Sequence, residues 1–220
     1  MKYNKKLKSI YNNLYAHFGP QYWWPAKNAF EVAIGAILTQ NTSWSNVERA
    51  IKNLKAKNLL SAYKIKQATP GKLQAAIKSS GFYKQKSKKL KVFAGFLCKE
   101  YGCSMSKMMK EDTRLARQKL LRLKGIGPET ADSILLYALK KPVFVIDAYT
   151  KRIFSRHKLI TPHADYREIQ KFFVSNLTRS AKVFNEYHAL IVAVGKNYCK
   201  KTRPNCDLCP FPGNNFSIRN

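Results

Sequence analysis

The sequence predicts an all-α protein of about nine or ten helices, on three observations. Across most of the 220 residues, apolar side chains return every three or four positions. Many of these stretches open on a capping residue: Asn, Ser or Thr. No run alternates apolar and polar residues long enough to make a convincing strand. Val143–Ile146 is β-branched but too short to build a sheet.

In Asn28–Gln40, the residues Phe30, Ala33, Ile34, Ile37 and Leu38 share one helical face. Asn28 is the expected N-cap, with Glu31 three residues on completing a box-like start. Ser45 is read as the next cap, with Glu48 at the third position and Val47, Ile51 and Leu54 facing inward. Thr69-Pro70 reads as a cap followed by proline in the first turn, opening a helix with Leu73, Ala76 and Ile77 inside. Lys86–Lys99 carries Leu90, Phe93 and Leu97. Thr113 is the expected cap of Arg114–Leu123, and Glu129–Leu139 continues with Ala131, Ile134, Leu135 and Ala138. Ala148–Arg156, Tyr166–Leu177 and Ala181–Val194 complete the set. There is no internal repeat, and no Gly/Ser linker separates domains.

Lys and Arg number 41 against 12 Asp and Glu, a formal charge of +29. Such a chain repels itself unless it meets a polyanion, so a nucleic-acid partner is expected. The 45% hydrophobic content, with 12 Phe, 12 Tyr and 3 Trp, excludes a disordered basic tail. The longest apolar runs, Val32–Leu38 and Ala189–Val194, are far short of the ~18 residues of a membrane span. The basic N-terminus has no apolar core of a signal peptide, so a cytoplasmic, nucleoid-associated protein without a membrane partner is expected. Five cysteines, three near the C-terminus, point to metal binding before disulfides.

Two helical segments meet at Leu123–Ala131, LKGIGPETA. Gly125 and Gly127 let the backbone turn through positive φ, and Ile126 between them can plug the gap between the helices. Pro128 suits the first turn of the following helix. Exposed N–H groups there, with Lys124 and Thr130 alongside, make a site for a backbone phosphate; an ordinary helix–helix turn is the alternative. Asp147 is the only acidic residue between Asp132 and Asp165. It follows an apolar stretch and precedes Lys151 and Arg152. It reads as a helix N-cap, as a carboxylate facing DNA, or as both. Tyr22-Trp23-Trp24-Pro25 and Trp44 are either core or a surface for stacking an extruded base. The run Lys84–Lys91 is a solvated helix face or a DNA contact.

LKGIGPETA, followed some twenty residues later by VFVIDAYTKR, resembles the helix-hairpin-helix/Gly-Pro/Asp DNA glycosylases of the endonuclease III type, from about Tyr22 to Cys209. The Trp pair and TQNTSW are most similar to the endonuclease III-like 3-methyladenine DNA glycosylases. The resemblance implies a two-lobed all-α fold with a cleft for DNA. One lobe, 28–138, is a six-helix barrel ending in the hairpin; 1–27 with 139–220 form the second. It implies that Asp147 is the catalytic carboxylate, that Trp24, Pro25 and Trp44 line the base pocket, and that Gln40 fills the hole left in the duplex. Lys124, Gly125, Ile126, Gly127 and Thr130 become the phosphate-binding hairpin, and the partner double-stranded DNA with a damaged base, met by a monomer.

The chain departs from that family in two places. Glu129 stands where bifunctional members carry a lysine nucleophile, and a carboxylate cannot form a Schiff base. A monofunctional enzyme is therefore expected. The alternatives are a bifunctional glycosylase/AP lyase using another amine, and a non-catalytic DNA-binding module. An electron-rich indole pocket favours a cationic alkylated purine such as 3-methyladenine, which is also an activated leaving group. The second departure is at the cysteines. Cys199, Cys206 and Cys209 match three ligands of the family's [4Fe-4S] loop, and the fourth position is Asn215. Four states follow: a lost cluster, a cluster with a non-Cys ligand, a three-iron species, or zinc with a borrowed His such as His188. Cys98 and Cys103 are expected to be buried thiols.

Overall fold

The computed structural model describes residues 2–26 and 28–212, except the Lys2 side chain. It divides into two compact units, Trp24–Lys141 and Met1–Trp23 with Pro142–Asn220. Among the described residues there are twelve α-helices and no strand.

The N-terminal helix α1 (Lys2–Phe18) buries Leu7, Ile10 and Leu14 along one stripe of a strongly basic segment. In the unit Trp24–Lys141, α2 (Ala29–Leu38) is the core helix. Every residue from Glu31 to Leu38 is buried, as a helix apolar on all sides requires. Asn28 caps it by accepting from the Glu31 N–H at 2.9 Å. The Glu31 carboxylate accepts from Lys55 Nζ at 2.6 Å rather than closing a box. Then come α3 (Trp44–Ala56), α4 (Ala62–Gln67), α5 (Pro70–Ile77), α6 (Tyr83–Tyr101), α7 (Met105–Met109), α8 (Thr113–Leu121) and α9 (Pro128–Ser133). The last runs directly into a π-helical turn, Ile134–Ala138, that packs on α2.

Two caps differ from expectation. Ser43, extended at φ −76° and ψ 154°, occupies the cap position of α3, so Ser45 lies within the first turn. Asp112 caps α8 with its carboxylate, accepting from Arg114 and Leu115 N–H, and Thr113 becomes the first helical residue. Cys98 and Cys103 are disulfide-bonded rather than free. Gly102 (φ 61°) and Cys103 (φ 62°) fold the chain back over the end of α6, where Cys103 N–H reaches Leu97 O and brings the sulfurs together.

The run Lys84–Lys91 does not present one face. Lys84 and Lys88 are exposed, Lys91 donates to Ala68 O, and Lys86 is 2% exposed. The Lys86 ammonium donates to Leu38 O at 2.7 Å and Ser80 O at 2.6 Å. Burial, then the nearby Lys89 charge, lower its pKa to about 8. Unfolded lysine titrates near ~10.4, so between about pH 8 and that value the unfolded chain binds more protons and stability rises with pH. Urea midpoints from pH 7.5 to 10 are therefore expected to climb more steeply for wild type than for Lys86→Met. Parallel slopes would remove that assignment.

In the other unit, α10 (Ala148–Arg156), α11 (Tyr166–Asn176) and α12 (Ala181–Asn197) join α1. Phe144 stacks on Phe173 at 4.0 Å, with Phe184 and Tyr187 edge-on to Phe144. Tyr187 Oη donates to Leu7 O at 2.9 Å, joining α12 to α1 inside the core. Val143–Ile146 is buried and belongs to no regular element. Side chains serve its backbone instead: Gln170 donates to Phe144 O at 2.7 Å, and Ile146 N–H points to Tyr166 Oη at 3.4 Å. This fixed apolar segment delivers the chain to Asp147.

Candidate active site and DNA-contacting elements

Asp147 is the N-cap of α10. Its Oδ1 accepts from both Thr150 N–H (2.7 Å) and Thr150 Oγ1 (2.9 Å), while Oδ2 lies 3.6 Å from His188 Nε2 on α12. The side chain keeps 13% of its surface exposed, against 7% for His188. Burial acts to raise the Asp147 pKa. The His188 charge and the two Thr150 bonds together outweigh it and hold the carboxyl below its ordinary value. One oxygen therefore serves the helix, and the other belongs to an ionised carboxylate beside an imidazole. Such a group can stabilise positive charge on a sugar or orient a water.

Around Trp24, Pro25 and Trp44 lies a pocket of about 290 Å³, within the unit Trp24–Lys141. Gly35 forms part of its wall because a Cβ there would come within 3.1 Å of the Trp24 ring. Trp24 leans on buried Tyr137, and Trp44 Nε1 donates to Glu48 Oε1 at 2.7 Å. The two indoles meet edge-to-face, centroids 5.0 Å apart at 88°. A sandwich between two parallel indoles is therefore not the geometry. The aromatic run divides: Tyr22 is 83% exposed, and Lys196 Nζ lies 5.6 Å from the Trp23 ring.

The hairpin joins α8 to α9. Only one of its glycines needs special backbone: Gly125 has φ 89°, whereas Gly127, the N-cap of α9, has φ −88°. Ile126 is 4% exposed and plugs the turn; Lys124, Gly125 and Gly127 are exposed. Arg117 of α8 grips fully buried Asp132 of α9 with two bonds, Nε–Oδ1 2.7 Å and Nη2–Oδ2 3.0 Å. Gln40 lies against the hairpin: Nε2 donates to Thr130 Oγ1 (2.9 Å) and Gly125 O (3.2 Å), and its Oε1 accepts from Lys89.

One exposed aromatic escapes the reading by residue pattern. Phe82 is 62% exposed, sits at φ 44° and precedes α6 directly after Gly81 (φ 68°). A non-glycine residue in the left-handed region is uncommon, and here two exposed aromatics adopt it, Phe82 and Tyr22 (φ 49°). The one signal of Phe82 in the sequence is an aromatic following glycine among lysines. His188, named above only as a histidine that zinc could borrow, lies on α12 beside Asp147.

Cys199 is buried, and Cys206 and Cys209 are partly exposed. Among the described residues, no three His, Cys, Asp or Glu side chains form a metal-holding group. Asn215, the position of the missing ligand, lies outside the described residues. Arginines of α10 hold the loop: Arg156 donates to Cys199 Sγ (3.3 Å), Lys200 O (2.6 Å) and Lys201 O (2.8 Å), and Arg152 to Cys199 O (2.8 Å). No helix among the described residues is long and apolar enough to cross a membrane.

A family model described as HhH-GPD superfamily base excision DNA repair protein matches residues 34–179, and the chain belongs to that family. It is a DNA glycosylase of the endonuclease III type, with the family's all-α fold. Methanocaldococcus jannaschii MJ1434, assigned as a DNA repair glycosylase, is 49% identical over 96% of this chain and 97% of its own length. Endonuclease III of Thermotoga maritima is 29% identical over 82% of this chain and 79% of its own. Among solved structures, Helicobacter pylori 3-methyladenine DNA glycosylase (MagIII) bound to 1,N6-ethenoadenine superposes with a TM-score of 0.74. It is 33% identical and covers 89% of this chain and 96% of that one. A trapped endonuclease III–DNA intermediate reaches 0.81 at 18% identity, covering 94% and 93%, a likeness of fold.

Proposed function

We propose that this glycosylase is monofunctional and hydrolytically removes alkylated bases of the 3-methyladenine class from duplex DNA. The observation that carries this reading is the pocket of Trp24, Pro25 and Trp44. Its indole faces attract a flat, electron-poor cation more than a neutral normal base. The likeness to a 3-methyladenine glycosylase bound to ethenoadenine supports it. In this reading the base lies on an indole. The ionised Asp147 carboxylate stabilises the oxocarbenium-like sugar as the base leaves, and directs water to the anomeric carbon. Lys124, Gly125, Ile126, Gly127 and Thr130 hold a backbone phosphate, while Gln40 and Phe82 enter the space the nucleotide vacates. The enzyme acts as a monomer of two lobes in the cytoplasm, on the nucleoid.

Glu129 carries the monofunctional part, because strand cleavage by Schiff base needs an amine at the reacting sugar. A panel of duplexes carrying 3-methyladenine, 7-methylguanine, ethenoadenine, uracil and oxidised pyrimidines tests both statements. Excision is expected for alkylated purines, with strand scission only after alkali. Borohydride is expected to trap no covalent complex on an abasic duplex. Preferential release of oxidised pyrimidines would overturn the substrate class, and a trapped complex lost on mutating one lysine would overturn the mechanism.

A further inference from the structure

Lys86 is a buried amine that the proposed reaction does not use. It donates to Leu38 O and Ser80 O, so one nitrogen holds these two carbonyls within roughly 5 Å of each other. Leu38 is the last residue of α2, two before Gln40. Ser80 ends the turn Lys78–Ser80, two before Phe82. The two segments are far apart in sequence, and each carries one of the side chains read above as entering the duplex. Lys89, on the same helix as Lys86, binds Gln40 itself. A second strut, Ser79 Oγ to Asn46 O at 3.0 Å, ties the Phe82 loop to α3.

We propose that Lys86 is a positioning residue for base eversion, a clasp that sets the spacing between Gln40 and Phe82. The α2 carbonyl it binds is one that a helix end leaves unserved, and the negative end of the helix dipole favours a cation there. An apolar side chain of similar length would fill the same volume without burying an ammonium. It would leave both carbonyls without their donor, and the two loops would move independently. The clasp rests on the reading of Gln40 and Phe82 as duplex-entering residues. Hole filling does not depend on which lesion is excised, so the test needs no identified base.

The probe is a duplex containing a tetrahydrofuran abasic analogue beside 2-aminopurine, compared with the intact duplex. Wild type is expected to prefer the abasic duplex and to raise 2-aminopurine fluorescence as the neighbouring stack opens. Lys86→Met is expected to lose about tenfold of that preference, with the fluorescence change, while binding intact duplex as before. Lys86→Gln, which keeps a donor in the site, is expected to recover part of both signals. Equal weakening on both duplexes marks a purely structural role and overturns the clasp, as does an unchanged preference or failure of both variants to fold. No abasic preference in wild type would remove the reading of Gln40 and Phe82, and the clasp with it. The lesion panel would be unaffected by a failure confined to Lys86.

Discussion

Asp147→Asn is expected to lower base excision by about 10²–10³-fold while leaving the protein folded, because it removes the charge and keeps the cap. Oδ1 alone accepts both Thr150 bonds, and an asparagine oxygen can do the same. What is lost is the negative charge at the Oδ2 position, 3.6 Å from His188. Single-turnover excision and a melting curve on the same preparation separate these effects. Wild-type excision by the variant would remove Asp147 from the chemistry. The carboxyl is held below its ordinary pKa, so it stays ionised as pH falls through the usual carboxylate range. The acid limb of the excision profile is accordingly expected below the ordinary carboxylate range, and a limb within that range would overturn the assignment.

Asp132→Ala is expected to have the largest effect on stability, about 3 kcal/mol, because it breaks a buried ion pair by removing one partner. Asp132 has no exposed side-chain surface, and both oxygens are taken by Arg117, which is 24% exposed. That residual hydration of the arginine places the cost at the lower end of the usual range. The pair spans the helices on either side of the hairpin, so the same change is expected to weaken binding to undamaged duplex. Denaturant unfolding and a salt-dependent binding isotherm test the two consequences. A loss below ~1 kcal/mol would show that the hairpin is held by Ile126 and the surrounding apolar contacts instead.

Much of the fold can be read along the chain because a helix announces its own buried face. Phe93 and Leu97 recur at helical spacing and are fully buried. Ala148–Arg156 begins and ends where its pattern does. The helix Lys2–Phe18 shows the limit: Leu7, Ile10 and Leu14 carry a narrow stripe within a segment dominated by lysine and polar side chains. Lys86 shows a deeper limit. In KQKSKKLK it is chemically identical to exposed Lys84 and Lys88, and only contact with α2 and the turn before α6 separates them.

By itself the sequence determined the helical class, the positive charge, the glycine-built hairpin and the lone acid after an apolar stretch. Each is a property of one segment and its own periodicity. The tertiary structure alone decided which lysine is buried, that the indoles stand perpendicular, that Cys98 meets Cys103, and that His188 attends Asp147. Those outcomes depend on distances between segments remote in sequence, which packing sets and no local pattern encodes.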